Sequence, residues 1–296
     1  MIVECIPNFS EGRNKAVIEG LVNVSKSVPG VTLLDYSSDE SHNRSVFTLV
    51  GDPVGIKAVA VKLAEFAKDN IDLTKHEGEH PRMGAVDVVP FVPIKDVSME
   101  DCVAISKEVA AHIADEVGIP VFLYEDSCTK EARRNLAAIR KGQFEGMAKK
   151  MKKAEWAPDY GNPEPHPTAG VVAVGARMPL IAFNANLSTS DVEIANNIAK
   201  AIRGSSGGLK HCKAIGIMLE DRGIAQVSMN LVNFEGTPIY RVVELIKIEA
   251  ARYGVTVTGT ELVGLAPAKA LVGAAEYYLK LESFDFKKQV LENHII

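Results

Sequence analysis

An α+β protein built from two copies of one βαββαβ unit is what this 296-residue sequence predicts, on three observations. A succession of strand-like and helix-like stretches over the first 94 residues returns between about 180 and 260. Helices in both copies open on cap signatures, and in the second copy both close on a glycine. The chain is also longer than a usual domain of ~100–200 residues, so two modules are expected before any motif is read.

Residues 2–8 (IVECIPN) are short and rich in β-formers, and a helix follows from about Gly12 with Val17, Ile18, Leu21, Val22 and Val24 apolar. VTLLDYS (31–37) and SVFTLVG (45–51) read as two strands joined by a polar reversal through Asp39 to Asn43. Asp52-Pro53 then starts a helix, because Asp caps and Pro fits the first helical position; Ile56, Val59, Ala60, Leu63 and Ala67 share its apolar face. The strand VDVVPFVPI (86–94) closes the set.

The second copy begins with LIAFNAN (180–186) and a helix announced by the capping box Ser190-x-x-Glu193, with Ile194, Ala195, Ile198 and Ile202 apolar and Gly204 as its stop. Strands over 213–219 and 224–231 flank an Asp221-Arg222-Gly223 turn. Thr237-Pro238 opens a helix carrying Ile239, Val242, Val243, Ile246 and Ala250, which ends at Gly254 before the strand VTVTGT (255–260). This order is the ferredoxin-like, split-βαβ arrangement, an α/β sandwich with helices on one face of a mostly antiparallel sheet. The predicted modules are residues 1–178 and 179–296, with a ligand cleft between them. Three irregular stretches fall outside the repeat: 71–85, the basic and partly helical 131–156, and the proline-rich 157–170 (APDYGNPEPHPTAG).

Composition excludes several classes. Nearly half the residues are apolar and 24% are charged, the balance of a globular protein rather than a disordered one. A formal net charge of −5 supplies no basic field for nucleic acid or acidic lipid. Cys5, Cys102, Cys128 and Cys212 lie far apart, which suits buried free thiols in a reducing compartment. The N-terminus lacks a signal-peptide pattern, and the longest apolar stretch, 171–187, carries Arg177, Asn184 and Asn186 and is too polar to span a bilayer. A cytoplasmic location without membrane contact is expected.

The densest set of reactive side chains is Lys75-His76-Glu77-Gly78-Glu79-His80-Pro81-Arg82-Met83-Gly84. It contains H-E-x-x-H, but a zinc-protease site needs those residues on a continuing helix, which Gly78 and Pro81 oppose; no metal is expected. Glu79, Arg82 and Asp87 put a carboxylate, a cation and a second carboxylate near His80, a grouping that favours perturbed proton affinities, whereas His76 is read as structural. Asn8, in the Pro7-to-Gly12 segment, could present its amide to an anionic ligand at the start of the first helix. Arg44, beside a buried strand, could clamp a carboxylate bidentately. The lysines at 149–153 read as a solvated helix face, Ser205-Ser206-Gly207-Gly208 as a connector, and Trp156 as packing.

PNFSEG (7–12), NRSVFTLVG (43–51), KHEGEHPRMGAVDVVPFVPI (75–94), AEWAPDYG (154–161), LIAFNANL (180–187) and ELVGLAP (261–267) resemble the formiminotransferase family, over essentially the whole chain. The resemblance implies two subdomains of related fold, a ligand tunnel between them and a homodimer. It further implies transfer of a formimino group from N-formimino-L-glutamate to N5 of tetrahydrofolate, in histidine degradation and one-carbon metabolism. It places the catalytic histidine on His80, and folate binding on Gly161, Asn162, Pro163, Glu164, Pro165, His166, Pro167, Thr168, Ala169 and Gly170. A separate cyclodeaminase would act downstream. In such a reaction one imidazole can take the proton from the acceptor nitrogen and give it to the departing glutamate nitrogen. Glu79 or Asp35 could hold the cationic formimino group, and Arg44 and Arg82 the glutamate carboxylates. Competing readings are an N-formylglutamate:tetrahydrofolate formyltransferase, an enzyme acting on another reduced pterin, a zinc metalloprotease, and a non-catalytic metabolite-binding protein.

Overall fold

The computed structural model describes residues 1–294, which divide into two compact units, Met1–Arg177 and a second beginning at Met178. Unit 1 starts with an interrupted strand, β1 (Ile2–Cys5) and β2 (Asn8–Phe9), then α1 (Lys15–Lys26), β3 (Val31–Asp39), β4 (Arg44–Gly51), α2 (Pro53–Asn70) and β5 (Val86–Lys95). The β1/β2 pair lies between β4 and β5, antiparallel to both, and β3 adds to the outer edge of β4. That is the ferredoxin-like order, and it follows from the periodicities. Asn14 caps α1 by accepting from the Ala16 and Val17 N–H groups, and Asp52 caps α2 with Pro53 at its first turn. The stripes Val17-Ile18-Leu21 and Ile56-Val59-Ala60-Leu63-Ala67 are the faces these helices bury.

Unit 1 does not stop there. It continues through α3 (Met99–His112), β6 (Val121–Glu125), α4 (Leu136–Arg140), α5 (Gln143–Lys150) and β7 (Val172–Ala176), giving a seven-stranded sheet in which β5, β7 and β6 run parallel. The sequence reading took 131–170 as irregular and assigned no strand to 121–125 or 172–176. Both segments are continuous runs of buried residues, broken only by Glu125 at the end of the first, because parallel strands buried on both faces show no alternation. Val121 and Leu123 of β6 and Val172 and Val174 of β7 join the main core. Phe122, Tyr124 and Ala173 join a second cluster with Ile139, Met147 and Met151 from the segment of α4 and α5.

Unit 2 is the unadorned module: β8 (Ile181–Leu187), α6 (Val192–Ile202), β9 (Cys212–Leu219), β10 (Ile224–Leu231), α7 (Ile239–Ala251) and β11 (Val257–Val263), followed by α8 (Ala268–Leu279) and the short α9 (Phe286–Gln289). Its four strands are ordered β11-β8-β10-β9, all antiparallel, over a core of its own. One local expectation changes. The cap of α6 is Asp191, whose carboxylate accepts from the Glu193 N–H, and not a Ser190–Glu193 box. Cys5, Cys102 and Cys212 are buried free thiols, while Cys128 is only partly covered. No helix among the described residues is long and apolar enough to cross a membrane.

Candidate active site

Three segments of unit 1 meet at one polar depression lined by Phe9, Ser10, His42, Asn43, Arg44, His76, His80, Arg82 and Asp87. The loop bearing His80 is pinned on both sides. Toward the β3–β4 hairpin, the Glu79 N–H donates to the Ser41 carbonyl at 3.2 Å, and a Cβ on Gly78 would stand 2.5 Å from the His42 oxygen, so only glycine permits this approach. Toward the 161–170 loop, the Ala85 N–H donates to Ala169 and the Val171 N–H to Met83, at 2.9 and 3.0 Å. Gly170 there has φ of +67°, and a Cβ on it would sit 2.2 Å from the Met83 oxygen.

Asn43 joins the pieces. It occupies the left-handed region, with φ of 50°, where Asn is tolerated better than most residues. Its Oδ1 accepts from the Gly12 N–H at 2.9 Å and its Nδ2 donates to the Glu77 carbonyl at 2.9 Å. His76 Nε2 donates to the Asn43 carbonyl at 2.9 Å, while its Nδ1 accepts from Arg82 Nε at 3.1 Å. Both ring nitrogens of His76 are therefore committed, one as donor and one as acceptor, which is a neutral structural imidazole. Residues 76–80 are non-helical, with a 3-10 turn ending at Lys75, so the H-E-x-x-H residues do not present two imidazoles from one helix face.

His80 is placed differently. Arg44 Nη1 donates to His80 Nε2 at 2.6 Å, and Arg44 Nη2 donates to Asn8 Oδ1. The Asn8 amide nitrogen is held by the Ile6 carbonyl at 2.7 Å, which turns its oxygen toward the guanidinium. Burial first, then the positive charges of Arg44 and Arg140 and the His42 ring, pull His80 down to about 3, while a bond to the Pro81 backbone works the other way. Proline offers only a carbonyl, so the imidazole donates there and Nε2 keeps its lone pair. His80 is thus a neutral base at neutral pH. Burial and Arg140 pull Arg44 down to about 10, with Asp87 opposing, so the guanidinium remains charged.

The other charges are paired within the fold. Asp87 accepts from the Met83 N–H at 2.8 Å and from Arg140 Nε at 2.8 Å. Arg82, read from the sequence as a carboxylate clamp, is 8% exposed and its fork is taken by Glu145, at 2.9 and 2.6 Å. Arg44, by contrast, has no carboxylate in ion-pair range among the described residues, and its Nε is buried without a hydrogen-bond partner. Of the sequence candidates, Asn8, Arg44, His80 and Arg82 come together. Glu79 and Asp35 are exposed and do not line the depression; Asp35 follows a register irregularity in β3 at the edge of the sheet, and the Glu79 loop is oriented by its backbone.

In the 161–170 loop, His166 Nδ1 accepts from the Ala169 N–H at 3.0 Å and folds the segment into a turn, and the Leu73 N–H donates to the Thr168 carbonyl. Burial, with Lys68 adding to it, lowers the His166 pKa. The segment that precedes this loop is held by Arg133, which is 1% exposed and bonds to Asp159 and to the Glu155 and Ala157 carbonyls. Asn43, Arg140 and Arg133 were not singled out from sequence as organising residues. Only Asn43, next to Arg44 at a predicted reversal, offered a signal.

Residues 2–177 match the model of the formiminotransferase domain, N-terminal subdomain, and residues 182–295 that of the formiminotransferase domain. The chain is 67% identical over 295 residues to the glutamate formimidoyltransferase of Streptococcus pyogenes, covering 100% of this chain and 99% of that protein. It is 45% identical to the glutamate formimidoyltransferase of Thermoplasma acidophilum, covering 96% and 94%. It is also 46% identical to the formimidoyltransferase-cyclodeaminase of Gallus gallus, covering 95% of this chain and 53% of that longer protein.

Proposed function

The chain belongs to the formiminotransferase family, and we propose that it moves the formimino group from N-formimino-L-glutamate to N5 of tetrahydrofolate, with His80 as the general acid/base. The observation that carries this reading is the pairing of a neutral imidazole with a charged guanidinium that has no carboxylate partner of its own, 2.6 Å apart. Arg44 is suited to a carboxylate of the glutamate moiety, since a guanidinium fork takes carboxylate oxygens in a fixed geometry. His80, neutral near pH 7, accepts the proton released by the attacking nitrogen and returns it to the glutamate nitrogen, which must leave protonated. Asn8 orients Arg44, and Arg82 with His76 and Asn43 holds the His80 loop.

The 161–170 loop supports the folate assignment by its position: Thr168, Ala169 and the adjoining Val171 bond to Leu73, Ala85 and Met83, on either side of His80. In this reading tetrahydrofolate is a co-substrate and the enzyme works as a cytoplasmic homodimer in histidine degradation. The test is a product assay with purified protein, tetrahydrofolate and either N-formimino- or N-formyl-L-glutamate. Formation of 5-formiminotetrahydrofolate from the first donor is expected. Turnover of the formyl donor alone, or of neither, would reject the proposal.

A further inference from the structure

We propose that Arg44 masks His80: the guanidinium occupies the imidazole Nε2 and gives it up only when a carboxylate of the incoming donor takes the guanidinium, so that the base is uncovered by its own substrate. The inference rests on the functional reading above and adds to it an order of events. Its basis is geometric. A lone pair that already accepts from Arg44 Nη1 at 2.6 Å cannot accept a proton from a substrate, and the other ring nitrogen faces a proline backbone that offers only a carbonyl. If His80 is to act through Nε2, Arg44 has to move or turn away from it.

The surroundings say what moves it. From the hairpin, Arg44 and His42 face His80; from its own loop come His76 and Arg82, from β5 Asp87, and from α4 Arg140. The carboxylate among them, Asp87, is held by Arg140 and by the Met83 N–H, and Glu145 is held by Arg82. No acidic group of this cluster is left to draw Arg44 off. Its remaining polar contact is the neutral Asn8 oxygen, and its Nε is buried without an acceptor. A carboxylate arriving here gains a charge-assisted, two-pronged partner that neither His80 nor Asn8 can rival. It also neutralises the charge nearest the imidazole, so His80 becomes more basic as it is released. Arg44 is in this sense a positioning residue for His80 as well as a substrate ligand.

Nitrogen NMR of histidine-labelled protein tests this without turnover, with the His80 signal assigned by its loss in His80→Gln. Without ligand, His80 should stay neutral as pH falls from 8 to about 5. Saturating L-glutamate should move its titration upward, toward but short of the ordinary imidazole value of ~6.5, because the Arg44 charge is offset while burial remains. In Arg44→Gln the titration should lie above that of the ligand-free parent with or without glutamate, and glutamate should no longer move it, a readout that loss of a merely structural contact would not produce. A wild-type titration that glutamate, shown by calorimetry to be bound, leaves unmoved would overturn the proposal. So would absence of glutamate binding, or a folded Arg44→Gln protein whose His80 titrates as in the parent. The wild-type arm decides even if Arg44→Gln fails to fold. An enzyme that makes product but shows no glutamate-dependent titration loses the masking alone, whereas failure in the product assay removes the transferase reading itself.

Discussion

Units 1 and 2 set their four repeat strands in the same antiparallel order and pack amphipathic helices against them in the same way, but they differ in where they keep their charges. Ion pairs in unit 2 lie toward the surface, as Lys269–Glu235 does with both partners about half exposed. Unit 1 buries Arg133–Asp159 and Arg140–Asp87, and places a neutral His80 beside a charged Arg44. The extra strands β6 and β7 and the short helices α4 and α5 account for much of this difference. They supply Arg140 and Glu145, and a second apolar cluster around Met83 and Val88 at the His80 loop. The repeat makes a stable module; the additions to it shield charges from water, which strengthens their interactions and shifts proton affinities.

If chemistry resides where these additions cover the repeat, in the loop between α2 and β5, the largest effect should come from His80. His80→Ala is expected to lower kcat by roughly 10²–10⁴, the usual contribution of a positioned acid/base, with folate affinity far less changed. His76→Ala should cost less in kcat and more in stability, because both nitrogens of His76 hold the loop together. Steady-state kinetics paired with urea unfolding separates the two. Near-full kcat in His80→Ala with loss of activity in His76→Ala would reverse the assignment.

The two units should also differ in how much an ion pair contributes. Asp87→Ala leaves Arg140 and the Met83 N–H without their buried acceptor, and a loss of about 3–5 kcal/mol is expected for breaking such a pair. Glu235→Ala, at the exposed pair of unit 2, should change stability by about 1 kcal/mol or less. Urea midpoints of the two variants measure this directly. Similar losses in both would mean that the covering of unit 1 does not set the strength of its pairs.

Most of the repeat was legible because strands such as β4 and β8 alternate and each helix is one-sided, so alternation and 3.6-residue periodicity mark them, while β5, buried over Val86–Val92, was marked by the length of its run of β-formers. β6 and β7 were missed for the opposite reason, being buried on both faces and thus without a pattern that tells strand from buried helix. The site was legible where it depended on residue type: His80, Arg44 and Asn8 stood out as chemistry looking for a partner. Its connections were not. That Arg82 would be taken by Glu145, 63 positions away, and that Asp87 would meet Arg140 rather than His80, are consequences of where α4 and α5 return to the loop. Linear spacing carries no trace of such returns, so Glu79, adjacent to His80 in sequence, looked better placed than it is.

The smallest effect expected concerns the start of α6, where unit 2 tests how far a local motif can be trusted. The sequence pattern Ser190-x-x-Glu193 suggests a capping box, yet the side chain that accepts from the first turn is Asp191, on the Glu193 N–H at 2.9 Å. A cap oxygen satisfies a helix N–H that otherwise has no intrahelical partner, and a carboxylate there also meets the positive end of the helix dipole. Asp191→Ala should therefore cost about 1 kcal/mol, within the 0.5–2 kcal/mol typical of such caps. Ser190→Ala, lying one residue outside, should be close to neutral. Equal or reversed losses in urea unfolding would restore Ser190 as the cap. Because α6 packs Ala195, Ile198, Ala199 and Ile202 into the core of unit 2, the loss should appear in the unfolding of that unit and leave kcat at neutral pH unchanged.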